Sequence, residues 1–524
     1  MGSGKYAENY DPDIMQNGFR TGKPAIFDDT VTINGLLSGN ISARTAILTL
    51  GIANTDRVLT STSDYATFNT AVSDLSTAGG GQLYVRGPLS FAPTDHLRLK
   101  SNVTVVFDSS VNVTLAAGKG LIALGVSKCR VQGLNVDASA HSTTDKAVQI
   151  GDSSGVTSSD ITFSDCSFLN CSGFGIFTSA SGTNVNQRVI VDRCRITGRG
   201  GNDLIGGGPL NSTGAGVRDI IVTNSFIEQD ATQGVNYTNA FDIVGAYRLK
   251  FVNNIVAGGM IFGSEQWPHR QSIISGNTIR NPGTGYVSQV GFIIDASANQ
   301  ESHYINITNN TLENSYIRLT SNASGQCKNV VCIGNNIDAT GCTNGIVAKN
   351  VDGLAISGIV SNATSDGISL SGVTNGRYDV LVRDCGGVGF NVDNTCSTNN
   401  FSNSSVINCF GVGNFSGFSN SLFNVVGANP VRKNAATVST TRTVDLTDGD
   451  YQVFTLSANT SFTFNNAKIA GMRMTVVFIT GGFTVTLPSN VKVAGGSFTA
   501  TGTSILRLVW DTNWLEEGRA IAVA

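Results

Sequence analysis

At 524 residues the chain has room for several domains or for one long repetitive one, and 61 glycines, 9 prolines and a charged fraction of 14% favour the second. Poor in Glu and Lys and rich in Asn, Ser, Thr, Val and Ile, it suits turns and strands and excludes a mainly helical fold. A formal net charge of −3 without any Lys/Arg cluster argues against nucleic acid, and a neutral hydroxylated polymer such as a polysaccharide fits better.

The opening MGSGKYAENYDPD has no apolar stretch after the methionine, so no signal peptide is expected. No window of 18 apolar residues exists, so no membrane insertion is expected either. Residues 1–58 hold one small helical pattern, ISARTAILTLGIANTD at 41–56, and read as a segment outside the main fold. Residues 59–98 read as a capping helix and first strand. In DYATFNTAVSDLS (64–76), Phe68, Ala71, Val72 and Leu75 share one helical face and Asp64 is a natural cap. GGGQLYV at 79–85 then leads into strand-like LRLKSNVTVVF at 97–107.

From 99 to 430 a six-residue pattern recurs, apolar at its first position and small, Asn or Cys at its fourth. It reads FSDCSF (163–168), VDRCRI (191–196), VTNSFI (222–227), FVNNIV (251–256), ISGNTI (274–279), ITNNTL (307–312) and CIGNNI (332–337). VRDCGG (382–387) and VINCFG (406–411) continue it, with ISGIVS (356–361) as a degenerate copy between. A second register, such as GFGIF at 173–177 and AFDIV at 240–244, runs alongside. Short strands at this period, with no helix between them, predict an all-β solenoid: a right-handed parallel β-helix of about thirteen turns. The fourth positions Cys166, Cys194, Ser225, Asn254, Asn277, Asn310, Asn335, Cys385 and Cys409 form one expected stack at a bend, with the cysteines reduced and buried.

VRKNAAT (431–437) reads as a linker. Residues 438–524 alternate in TSFTF, MRMTVVF, FTVTL and ILRLVW, which predicts an antiparallel, sandwich-like β domain, with GG at 481–482 as a hairpin signal.

The ladder resembles the pectate-lyase-like superfamily of right-handed β-helices. The order of amphipathic helix, GGGQLYV and LRLKSNVTVVF is similar to the start of bacteriophage tailspikes. SANTSFTFNNA, GMRMTVVFITGGFTVTLPSNVKVAGG and ILRLVWDTNWLE resemble a domain near the C-termini of phage tail proteins. The resemblance implies a homotrimer on a virion tail, joined to other tail proteins through residues 1–58. Its partner is then a bacterial surface polysaccharide, capsule or O-antigen, which it binds and depolymerises. The alternative is a non-catalytic adhesin of the same build. A purely structural fibre and a secreted pectinase fit less well.

No motif prescribes a reaction. GGG at 79–81 lacks the Lys-Ser/Thr of a phosphate loop, no HExxH occurs, and no cofactor or metal is expected. Asp203 in GNDLIGGGPL is read as a turn cap. Residues 237–320, however, concentrate polar and aromatic groups in a chain otherwise poor in them. Asp242, Glu265 and Asp295 are spaced by 23 and 30 residues, about one turn each, and are the catalytic candidates. Tyr237, Trp267, His269, Arg270, Tyr286, His303 and Arg318 are the substrate-binding candidates, Trp267 and Tyr286 by stacking on sugars. A lyase would instead use His269 or His303 as base and Arg270 or Arg318 as clamp, and the residues leave hydrolysis and β-elimination both open.

Overall fold

The computed structural model describes residues 57–520 apart from 60–63, 88, 92–94, 152–155, 181–184, 200–201, 210–216, 230–238, 265–268, 282–287, 295–301, 322–326, 416–422, 429–433, 445–450, 466–472 and 495–497. Except for Arg57 and Val58, the expected attachment segment lies outside these residues, and so do Tyr237, Glu265, Trp267, Tyr286 and Asp295.

Asp64 accepts hydrogen bonds from the Thr67 backbone N–H and hydroxyl, both at 2.8 Å, and so starts the helix Tyr65–Thr77. Its buried face is Phe68, Ala71, Val72 and Leu75. Phe68 stacks on Phe107, 6.2 Å between ring centroids, so the helix covers the first apolar rungs. The strand Arg57–Leu59 pairs parallel with Gly81–Val85, which places Arg57 and Val58 in the first coil.

The chain then winds as a right-handed, all-parallel β-helix of about 14 turns, one more than the sequence period suggests. A broad sheet of 25 described strands and a narrow sheet of 13 make its walls. Inward residues stack rung on rung. Val131, Phe163, Val191, Val222, Phe251, Ile274 and Ile307 are successive register partners, all buried. One apolar core results, continuous from Leu59 to Cys409.

Each six-residue repeat is a strand end, a bend and a strand start. Its third position takes the left-handed conformation: Asp165, Arg193, Asn224, Asn253, Gly276, Asn309 and Gly334 have φ between 50° and 69°. Asn, Asp and Gly tolerate that region best, which explains their density there. The fourth position points inward. The side-chain oxygens of Asn254, Asn277, Asn310 and Asn335 accept from the backbone N–H one turn below, at 2.8–3.0 Å. Their amides donate to the carbonyls of Val222, Phe251, Ile274 and Ile307, at 2.7–3.0 Å. Buried backbone groups at the bend are thereby satisfied without water.

The stack does not include Cys385 and Cys409. Asn335 faces Gly358, where a β-carbon would fall 2.1 Å from the Asn335 carbonyl oxygen. The bend then moves along the chain, since Ser361 pairs with Arg383 and Arg383 with Ile407, so Cys385 and Cys409 occupy a different corner. All ten cysteines are buried and free. Burial pushes the thiols of Cys129 and Cys327 up to about 12, so they remain neutral core groups.

Residues 438–514 have a core of their own, with Phe454, Phe462, Phe478 and Phe498 in contact and Trp510 against Trp514. The antiparallel sheet is present in Arg473–Ile479, Thr503–Trp510 and Trp514–Ala520. It is reached through further parallel coils, Asn434–Val438 beside Tyr451–Leu456 beside Arg473–Ile479. The second half of the expected linker is therefore a strand. Gly481 and Gly482 make a corner rather than a hairpin, because Val485–Thr486 leaves for a second sheet and pairs parallel with Thr460–Phe464.

Candidate functional site

Parallel register turns each position of the narrow sheet into a column, one residue per turn. One column runs Gln149, Phe177, Gly206, Asp242, Ile261, Gly291 and Arg318. Asp242 is half-buried in the strand Asn239–Ile243, between Phe241 and Ile243, which both point into the core. Strand alternation alone therefore holds its carboxylate on the outer face.

Gly206, one rung below, has no side chain to cover that face. A β-carbon there would lie 2.6 Å from Phe174 Cε1 and 3.6 Å from Asp203 Cβ. Phe174 therefore leans over the glycine, against Phe177 at 4.6 Å between centroids. The Lys146 ammonium sits 4.9 Å from the Phe177 ring. With a rung of about 4.8 Å, the β-carbons of Asp203 and Asp242 are no more than about 9 Å apart.

Asp203 is level with Asn239, whose side chain hydrogen-bonds its carboxylate, and its backbone N–H donates to Asn202 Oδ1 at 2.9 Å. Its Oδ1 is buried and has no hydrogen-bond partner among the described residues. Desolvation pushes its pKa up to about 6, against the smaller pull of Asn239. From the next turn, the buried Gln229 amide donates to the carbonyls of Asn239 (3.0 Å) and Asn202, tying the two rungs together.

The other sequence candidates divide. Arg318 stands in the Asp242 column three rungs on, about 14 Å away. His269 is fully buried, with the N–H groups of Gly245 and Ala246 each 3.2 Å from a ring nitrogen. It packs the interior, away from the outer face. Arg270 and His303 pair with each other in a separate column at the edge of the broad sheet. One turn on from Asp242 the register places Ile261, four residues before Glu265, because turns differ in length and residue spacing alone does not fix the column. Asp203 is the group that sequence reading set aside as a turn cap. The signal for it is the GGG that follows at 206–208, which marks a strand stripped of side chains.

Fold and site together define a parallel β-helix with a carboxylate–aromatic strip on its narrow sheet. No known family matches the chain, and no curated protein matches it. Among solved structures it is similar to PfbA, a surface adhesin of Streptococcus pneumoniae, at 12% identity and TM-score 0.38, over 64% of this chain and 88% of that one. The Dettilon tailspike protein is similar at 12% identity and TM-score 0.37, over 86% and 76%. A double mutant of the tailspike of E. coli bacteriophage HK620, in complex with a pentasaccharide, is similar at 13% and 0.34, over 88% of each chain. At these identities the likeness is one of fold.

Proposed function

We propose that the chain is a phage tailspike-like protein that binds and depolymerises a bacterial surface polysaccharide, with Asp203 and Asp242 as its acid–base pair. The observation that carries this reading is the placement of two carboxyl groups around the bare Gly206, one of them desolvated with an unpartnered oxygen. A carboxyl whose pKa is raised to about 6 is a competent proton donor to a glycosidic oxygen; a carboxylate on the next rung would activate water or attack the anomeric carbon. The β-carbon separation accommodates carboxyl spacings for either stereochemical outcome. Phe174 and Phe177 offer apolar surface to sugar faces, and Arg318 lies further along the same track. Glu265 and Asp295 stay in the proposal as alternative partners of Asp242. Trimer formation and attachment through residues 1–58 complete it, because three copies of a weak sugar site give avid binding.

Reducing-end release from purified capsule or O-antigen tests hydrolysis, and absorbance of an unsaturated uronate tests elimination. Absence of product across a wide glycan panel sinks the enzyme. Saturable binding with unchanged polymer length identifies an adhesin, for which the outward aromatic pair is equally suited.

A further inference from the structure

The edge of the broad sheet, just past the bend that follows each narrow-sheet strand, carries another column. Arg218, Tyr247, Arg270, His303 and Lys328 occupy successive turns there, with Gln187 before them and Asp352 after. Most other arginines on the broad sheet are neutralised. Arg188 pairs with Asp160, Arg193 with Asp165, and Arg280 with Glu228. Asp219, the carboxylate next to Arg218 in the chain, is taken by Arg248 through two bonds of 2.5 and 2.7 Å. Asp352 accepts from Thr374 and Asn375.

Among the described residues no carboxylate forms an ion pair with Arg218 or Arg270. The Arg218 guanidinium lies 5.8 Å from the Tyr247 ring, on which Arg248 also sits at 4.5 Å. Stacking occupies the face of a guanidinium and leaves its N–H edge for an acceptor. Arg270 Nε is buried and has no hydrogen-bond partner among the described residues, so no carboxylate of the described chain engages that nitrogen, and the terminal N–H groups of the half-buried side chain are the ones to meet an acceptor. Arg218 and Arg270 stand two rungs apart, about 10 Å, and Arg270 and Lys328 the same again. That step is comparable with the length of a disaccharide unit in an extended polymer.

We propose that this column binds the carboxylates of an acidic polysaccharide, with Arg218 and Arg270 as the primary docking groups and Lys328 continuing the track. The inference rests on the glycan-binding reading and narrows it to uronate-containing polymers. The formal charge of −3 conceals this feature, because the compensating acids are paired elsewhere on the solenoid.

The test measures binding of oligogalacturonate and oligomannuronate, their carboxyl-reduced counterparts and dextran sulfate, at low and physiological ionic strength. The uronates should bind, the reduced forms should not, and Arg218→Gln and Arg270→Gln should each weaken binding at least about tenfold with thermal unfolding unchanged. Arg218→Lys should fall between, since it keeps charge and loses the fork. Equal binding of reduced oligomers, equal binding of dextran sulfate, or indifference to both arginine changes overturns the column while leaving the carboxylate pair intact. Failure of the uronates to bind, alongside cleavage of a neutral host glycan that Asp203→Asn abolishes, overturns the column alone. Failure to bind or cleave any glycan overturns both readings.

Discussion

Asp203 and Asp242 approach one outward strip from neighbouring turns, and only the missing side chain of Gly206 separates them. Neither is placed by a motif. Asp203 comes from a turn pinned by Gln229, Asp242 from strand alternation, and the rung spacing fixes the gap between them.

Asp203→Asn and Asp242→Asn should each lower polymer cleavage at least about 100-fold while leaving the far-ultraviolet spectrum unchanged, since each removes a proton-transfer group. Glu265→Gln and Asp295→Asn belong in the same assay. Wild-type rates in Asp203→Asn together with loss in Glu265→Gln would move the pair to Asp242 and Glu265.

Gly206→Val should block the strip while keeping both carboxyl groups in the chain, although its side chain would also crowd Asp203. Its β-carbon would meet Phe174 at 2.6 Å and force the ring off its place against Phe177. Sugar affinity is expected to fall about tenfold or more, with a stability loss of about 1–3 kcal/mol from overpacking. Unchanged affinity by calorimetry would remove the aromatic pair from the site.

The pH dependence of stability carries a sign. A carboxyl raised from 3.8 to about 6 binds its proton more tightly when folded, so its ionisation destabilises the fold as pH climbs from about 4 to about 6. Wild type should lose up to about 3 kcal/mol over that window relative to Asp203→Asn, whose profile should be flatter. Parallel profiles in denaturant titrations would show that Asp203 is not desolvated.

Asn277→Ala removes an acceptor for the Asn254 N–H and a donor to the Phe251 carbonyl. Two buried backbone groups lose their partners, at a cost of about 2 kcal/mol or more. The guanidinium midpoint should drop clearly, and more than for Asn336→Ala at an outward-facing position two turns further on.

Light scattering on the intact chain is expected at about three times 54.7 kDa. Truncation after residue 436 should weaken the assembly, because a domain of this size is marginal alone and its strand edges invite pairing. A monodisperse monomer at micromolar concentration would remove the trimer from the proposal.

The sequence by itself determined the solenoid, its capping helix and the inward stack from Ser225 to Asn335, because stacked turns repeat one local environment and so write a period into the chain. Phe68, Ala71, Val72 and Leu75 were legible for the same reason, as one face of a helix. Register was not legible. Turn lengths vary, so only tertiary pairing decided that Asp242 faces Gly206 and Ile261, that Cys385 lies outside the Asn stack, and that His269 turns inward. Asp203 could not be paired from sequence because its neighbour in space lies 39 residues away, in the next turn. The column of Arg218, Tyr247 and Arg270 is likewise a product of winding. Along the chain these residues are isolated charges and a lone aromatic, and only parallel stacking makes them one surface.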